Sequence, residues 1–261
     1  MLDRITPLIL TRNEEANLRR QLASLAWARS IVVVDSESTD ATRAIAAEFA
    51  NVRFVVRPFD GLARQWNFGL RECGIDTDWV LALDADYVLP PAFEAELARL
   101  APPGEVDGYR ASFRYCIDGE PLRGALYPPV TVLFRRERGH FDQDGHAHRL
   151  RVPGLVLPLA TPLLHDDRKP LERWFSSQVS YMRLEADHLL DRPLRELGWP
   201  DRLRRTVVLA PAVVFLYCLF VKGGLLDGRR GFAYALQRAV AEVILSAFLV
   251  EGAVRRRSGK A

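Results

Sequence analysis

The sequence predicts an α/β protein built on a mostly parallel sheet flanked by helices. Three observations predict it. Short apolar runs rich in Val, Ile and Leu recur at 7–10, 31–34, 52–56 and 79–83. Stretches with helical spacing, each roughly 10–15 residues long, separate strands in this way when they form βαβ units. Acidic residues stand where two of the runs end, and in such sheets ligands lie beyond the carboxyl ends of the strands.

The elements follow in order. Pro7 to Leu10 is a short strand. Thr11-Arg12-Asn13-Glu14-Glu15 comes next, and then Leu18, Leu22 and Leu25 fall on one helical face. Ile31 to Val34 is a β-branched strand that runs into Asp35-Ser36-Glu37-Ser38-Thr39-Asp40. Asp40 or a nearby serine is suited to cap the next helix, which extends to about Phe49. Val52 to Val56 is a third strand. Gly61 to Cys73 is helical, with Leu62, Trp66 and Leu70 on one face, and Trp79 to Leu83 is the fourth strand. Further on, Tyr109, Ala111, Phe113 and Tyr115 alternate with Arg110, Ser112 and Arg114, so Gly108 to Tyr115 reads as one strand; Val130 to Phe134 is another.

Asp84-Ala85-Asp86 closes the fourth strand. Two carboxylates one residue apart at a strand mouth suit a hard divalent cation, because Mg²⁺ takes one or two carboxylates plus substrate phosphates. A strand-end turn with solvated acids is the plain alternative. Arg64 has a planar fork that suits phosphate oxygens, or it is a solvated helix residue. Asp40 is sufficient as a helix cap, and Glu15 as a first-turn acid favoured by the helix dipole.

Taken in order, Thr11-x-Asn13-x-Glu15, Val32-Val33-Val34-Asp35-Ser-x-Ser38-Thr39-Asp40, Ala63-Arg64-Gln65-x-Asn67-Phe68-Gly69 and Asp78-Trp79-Val-Leu-Ala-Leu-Asp84-Ala-Asp86 resemble a family 2 glycosyltransferase. The nearest likeness is to the lipopolysaccharide-core glucosyltransferase subgroup. The resemblance covers residues 5 to 92. It implies a GT-A fold, a nucleotide-diphosphate sugar donor with a UDP-sugar first among the candidates, Mg²⁺ or Mn²⁺ as cofactor, and inversion at the anomeric carbon. It further implies that Asp35 contacts the base or ribose, and that Thr11, Asn13 and Glu15 line the same pocket. Arg64 and Asn67 would stand near the donor. Asp84 would meet ribose or metal-bound water, and Asp86 would hold the metal on the diphosphate.

The acceptor side is read less directly. An inverting transfer needs a general base beside the acceptor hydroxyl, and Asp142, Asp144, His146 and His148 are all candidates. His148, with Asp144, is placed first, since His148 matches a His-Glu pair of the resembled subgroup. Two departures are visible: Arg149 stands where that Glu would be, and Tyr87 stands where an acid commonly follows Asp-Ala-Asp. A zinc site of His146, His148, His165 and Asp166 is the alternative use of these residues, and His165 alone also reads as a satisfied strand-end histidine.

At 261 residues and 49% hydrophobic the chain is long enough for a sizeable core. The expected division is a catalytic domain over 1–190 and a basic helical region over 191–261. Residues 201–261 hold eleven basic and four acidic residues, against 25 and 29 in the remainder. Such asymmetry points to an anionic partner surface. Val207 to Val221 is free of charge, but it is shorter than the roughly 20 residues a span requires and contains Pro211. With Arg204 and Arg205 before it, Lys222 after it and Arg255-Arg256-Arg257 near the end, the region suits a helix lying in an anionic membrane interface. Two helices packed on the catalytic body or on a second protomer are the alternative. The expected site of action is the cytoplasmic face of the inner membrane, peripheral or interfacial, with a lipid-linked glycan as acceptor.

Cys73, Cys116 and Cys218 are odd in number and widely spaced, which favours a reducing compartment. The first residues have no charged-then-apolar run, so a cleaved secretion signal is not expected. Dinucleotide and phosphate-loop glycine patterns are absent, and the basic tail lacks the interleaved aromatics of a nucleic-acid binder. The function expected is therefore a metal-dependent hexosyltransferase of lipopolysaccharide or other surface-glycan synthesis. A polyprenyl-phosphate glycosyltransferase, or an inactive nucleotide-sugar-binding relative, are the alternatives.

Overall fold

The computed structural model describes residues 1–144 and 147–257, with the side chains of 143, 144, 147, 148 and 257 outside the description. The chain divides into two compact units, one of residues 1–119 and 127–168, the other of 120–126 and 169–261.

The first unit is organised by a seven-stranded sheet. Strands β1 (Ile5–Thr11), β2 (Ile31–Asp35), β3 (Val52–Val56) and β4 (Trp79–Asp84) run parallel, in the order β4-β1-β2-β3. Beyond β4 the strand Val130–Arg135 is antiparallel both to β4 and to Val106–Ala111, and Leu155–Pro158 forms the far edge. Both faces of the sheet are covered, which is why the runs read as continuously apolar. Ile9, Ile31, Val33, Leu81 and Leu83 face one core with α1 (Leu18–Ser24), α2 (Thr42–Ala46) and α4 (Pro91–Arg99). Leu8, Val32, Val34, Val80 and Ala82 face the other, beneath Trp66 and Leu70 of α3 (Leu62–Glu72). This alternation is the period of two along each strand. Helix α3 sits so close to β1 that a Cβ on Gly69 would stand 2.6 Å from Leu8 Cδ1.

The single strand expected over Gly108 to Tyr115 is two strands, Val106–Ala111 in the large sheet and Phe113–Ile117 beside Leu163–His165 in a smaller one. Ser112 is the break between them, and alternation of side chains continues unaltered through such a change of sheet.

The second unit is helical: α5 (Leu171–Asp191), α6 (Trp199–Arg204), α7 (Leu209–Leu216) and α8 (Gly228–Arg257). Helix α5 lies in this unit and not in a body ending at residue 190, because Ala186 and Leu189 pack with Leu245 and Leu249 of α8. Pro211 does not interrupt the apolar stretch: it falls in the first turn of α7, where a missing N–H is no loss. Among the described residues one helical stretch, Gly224–Arg256, is long and apolar enough to cross a membrane by length and composition.

Candidate active site

Register brings the sequence-singled residues to one edge of the sheet. Thr11 is level with Asp35, and Leu10 with Asp84. Since β1, β2 and β4 are parallel, all three polar residues lie at carboxyl ends of neighbouring strands, where the loops that bind ligands emerge.

The loop after β2 is tied to the loop after β1. Asp35 is 2% exposed and accepts hydrogen bonds from Thr11 Oγ1 at 2.7 Å and from the Ser38 N–H at 2.8 Å. Asn13 is in the left-handed region at φ 56°, its N–H donates to Ser38 Oγ at 2.7 Å, and its Oδ1 accepts from the Thr39 N–H at 2.8 Å. Glu15 accepts from the Ala41 N–H at 3.1 Å, while its own N–H donates to Asp40. Asp40 also accepts from the N–H and hydroxyl of Thr42, the first residue of α2, although the N-cap position itself is Ala41. Thr11, Asn13, Glu15 and Asp35 thus form one hydrogen-bonded rim.

Beyond β4 the chain pairs with a distant segment. Strand Leu163–His165 runs beside Tyr87–Val88, with His165 level with Tyr87. His165 Nε2 lies 3.1 Å from Asp86 Oδ2, and the side chains are only 14% and 17% exposed. Burial pulls the His165 pKa down, but the charge and hydrogen bond of Asp86 outweigh it and hold the ring above its ordinary value. Tyr87, Tyr115 and Tyr127 surround the imidazole, with ring centres 5.3, 4.9 and 4.7 Å away. Burial first, and Asp84 next, push the Tyr87 hydroxyl pKa far up. The phenol therefore stays neutral and is no base for an acceptor hydroxyl.

A polar hub braces this arrangement from beneath. Asn17, 1% exposed, donates to Glu14 and to Asp167 at 2.9 Å each and accepts from the Arg168 N–H at 2.8 Å. Arg20 and Arg168 both pair with Asp166, and Gln21 Nε2 donates to the Asp84 carbonyl at 2.6 Å. Sequence reasoning left out Asn17, Arg20 and Gln21, which look like ordinary members of an amphipathic helix, and did not pair His165 with Asp86.

Helix α3 carries Arg64 and Asn67, and the two differ in use. Arg64 is 72% exposed and 3.7 Å from Asp60. Asn67 clamps a strand instead: Nδ2 donates to the Phe141 carbonyl at 2.7 Å and Oδ1 accepts from the Phe141 N–H at 3.0 Å. That strand, His140–Asp144, pairs antiparallel with Ala147–Arg151, and Phe141 stacks on Trp66 at 5.2 Å. Between them and β4 opens a cleft of about 340 Å³, lined by Trp66, Asp84, Tyr87, Tyr127, Thr131 and Arg149 among others. Of the four candidate bases, the side chains of Asp144, His146 and His148 lie outside the described residues. Asp142 is engaged by Arg151 at 2.9 Å. A zinc set including Asp166 has no support, since both Asp166 oxygens are taken by arginines and no group of three metal-ligating side chains occurs among the described residues.

Asp86 and His165 nevertheless fit a Mg²⁺ or Mn²⁺ ion of another kind. One carboxylate oxygen and one imidazole nitrogen converge in a largely dry position beside Asp84; His165 would join the ion as the neutral imidazole, giving up the proton that Asp86 favours, and such ions commonly take few protein ligands and complete their shell with substrate phosphates and water.

Comparison with known proteins identifies the family. Residues 8–154 match the family described as Glycosyl transferase family 2. The chain is 31% identical over 250 residues to the lipopolysaccharide core biosynthesis glycosyltransferase LpsC of Rhizobium meliloti (strain 1021), covering 90% of this chain and 88% of that one. It is 36% identical over 144 residues to an uncharacterized glycosyltransferase of Rickettsia bellii (strain RML369-C), covering 53% of this chain and about half, 48%, of the relative. Among solved structures, S. aureus TarS 1–349 aligns over 97% of this chain and 91% of its own, at 15% identity and a TM-score of 0.48, a distant likeness. The family match runs from β1 through the aspartates after β4 and past the clamped strand, and the LpsC likeness extends over most of both chains: this protein belongs to glycosyl transferase family 2, is a glycosyltransferase, and has the GT-A fold.

Proposed function

We propose that the chain is an inverting, divalent-metal-dependent hexosyltransferase. It moves a sugar from a nucleotide-diphosphate donor, a UDP-sugar first, to a lipid-linked glycan acceptor in lipopolysaccharide-core assembly, at the cytoplasmic face of the inner membrane. The observation that carries the reading is Asp86 with His165 at the end of β4, beside Asp84 at the mouth of an aromatic-lined cleft. The pathway is supported by likeness to LpsC, whose name gives lipopolysaccharide core biosynthesis.

In this reading Asp86 and His165 hold Mg²⁺ or Mn²⁺. A bound ion supplies Lewis acidity toward the charge that develops on a departing diphosphate. The remaining work belongs to the chain. The rim of Thr11, Asn13, Glu15 and Asp35 receives the nucleoside, with Asp84 toward the ribose. Arg64, exposed on α3, reaches the phosphates, and Asn67 acts by fixing the strand that carries Phe141. Trp66, Tyr87 and Tyr127 give the cleft flat apolar faces of the kind that accept sugar rings. His148 or Asp144 takes the acceptor proton.

The test is thermal unfolding against UDP-, GDP- and dTDP-sugars, with Mn²⁺, with Mg²⁺ and with chelator. A ligand of the native state raises the unfolding temperature by mass action. A rise with one nucleotide that requires the metal is expected; an equal rise in chelator overturns the metal assignment, and no rise with any donor overturns the donor class.

A further inference from the structure

Within the second unit, α7 and α8 are joined by a tight elbow. Helix α7 passes into a π-type turn, Tyr217–Val221, and then a short 3-10 turn, Gly224–Asp227. Gly223 and Gly228 have φ of 77° and 58°, and a Cβ on Gly231 would strike the Gly224 carbonyl oxygen at 1.9 Å. Glycine is therefore required for the chain to fold back on itself here. The elbow is anchored from one side: the Arg123 N–H donates to Asp227 at 2.9 Å, and the Leu126 N–H donates to the Tyr234 hydroxyl at 2.7 Å.

What the elbow presents outward is apolar. Phe220, Val221, Leu225 and Leu226 are 64%, 67%, 62% and 71% exposed, although the fold buries their neighbours Cys218, Leu219 and Gly224. An exposed apolar cluster of this size marks a contact surface. Beside it stand Lys222, Arg229 and Arg230, none of which has an anionic partner among the described residues.

We propose that this elbow is a membrane tip: Phe220, Val221, Leu225 and Leu226 enter one leaflet of an anionic bilayer, while Lys222, Arg229 and Arg230 meet the lipid phosphates. The proposal rests on the membrane-face placement proposed above and says which surface achieves it. Two arguments select a bilayer as the occupant. A symmetric pairing of two copies through the tip would set three unpaired cations of one against the same three of the other, because a twofold interface uses one patch twice. An anionic lipid surface neutralises all of them and takes the apolar side chains as well. The stretch that leads into the tip does not span: residues 209–221 make a rod of roughly 20 Å at 1.5 Å per residue, short of the ~30 Å hydrocarbon core. On α8 the acid Glu242 is withdrawn from the surface, 1% exposed and paired with Arg204.

The experiment is co-sedimentation of the full chain with vesicles of phosphatidylcholine alone and of phosphatidylcholine mixed with phosphatidylglycerol, whose anionic headgroups attract basic patches. Two variants accompany it, Leu225→Ser/Leu226→Ser and Arg229→Gln/Arg230→Gln, whose folding is checked by their unfolding temperature. Wild type is expected to bind the anionic vesicles preferentially. The serine variant should lose binding on both. The glutamine variant should lose roughly 30-fold on anionic vesicles at low salt, from about 1 kcal/mol for each cation. An environment-sensitive dye on Leu226→Cys should shift to the blue on binding; the three native cysteines are buried. Wild-type binding that survives both variants, or an unshifted dye, overturns the tip while leaving the membrane placement standing. No wild-type binding to either vesicle overturns both.

Discussion

His165 stands 3.1 Å from Asp86 because a three-residue strand, Leu163–His165, is laid antiparallel against Tyr87–Val88. The pairing puts an imidazole nitrogen beside the carboxylate that closes Asp84-Ala85-Asp86. Asp86→Ala should abolish the metal-dependent part of donor-induced stabilisation. His165→Gln should weaken metal affinity by more than roughly 10-fold, the lower bound for losing even an outer-shell partner of a metal ligand. Calorimetric titration of Mn²⁺ in the presence of UDP checks both, with circular dichroism confirming the fold. Unchanged donor affinity in Asp86→Ala, with the metal still required, would remove Asp86 from the site.

Arg64 and Asn67 are three residues apart on α3 and should fail differently. Asn67→Ala leaves the N–H and carbonyl of Phe141 without their clamp, so it should destabilise the first unit by about 1–3 kcal/mol. Arg64→Ala touches only an exposed side chain and should change stability by less than about 0.5 kcal/mol. It should instead raise the KM for the donor. Urea unfolding and donor kinetics on both variants separate the roles.

The difference between those two residues shows what the sequence could disclose. Strands β1, β2 and β4 are buried on both faces, so their apolar runs are visible without any partner being known. The aspartates at their ends were visible because charge beside such runs is uncommon. Nothing local distinguishes Asn67 from Arg64 as a donor contact, since the Phe141 backbone that occupies Asn67 is far along the chain. His165 was hidden for the same reason. The bend at Ser112 was hidden by alternation that continues from one sheet to the next. In the tail, Arg255-Arg256-Arg257 looked like the free basic cluster, yet Arg255 pairs with Glu251 and Arg256 with Asp191. Among the described residues Lys222, Arg229 and Arg230, at the elbow, have no such anionic partner.

Asp40 joins the loops that follow β1 and β2 and should do so only when ionised. Burial pushes its carboxyl up, but hydrogen bonds from Thr42 and from the Glu15 N–H outweigh that and hold its pKa below the ordinary range. The folded pKa lies below the unfolded one, so the stabilisation is complete above the unfolded value, about 3.9. It is lost as pH falls through the folded value. The stability gap between wild type and Asp40→Ala, measured by urea midpoint from pH 6 to pH 3, should be flat at the upper end and narrow toward the lower. A gap that widens on acidification would contradict this sign.

The second unit holds a buried ion pair whose removal should be asymmetric. Arg204 donates to Glu242 at 3.0 Å and to Glu185 at 3.1 Å, and the Glu242 side chain is only 2% exposed. Glu242 lies on α8 and Glu185 on α5, so Arg204 joins both helices. Arg204→Met leaves a carboxylate in an apolar setting with its counter-charge gone, and the desolvation already incurred has nothing to offset it. A loss of about 3–5 kcal/mol is expected. Glu242→Leu alone should cost less, because Arg204 is 27% exposed and keeps Glu185. The double variant Arg204→Met/Glu242→Leu removes both charges at once and should recover much of the loss of Arg204→Met, since well-packed apolar replacements of buried pairs are often neutral. Thermal unfolding of the three variants closes the cycle. Additive losses would mean that the two side chains act independently and that the Arg204–Glu242 pair does not hold α6 to α8.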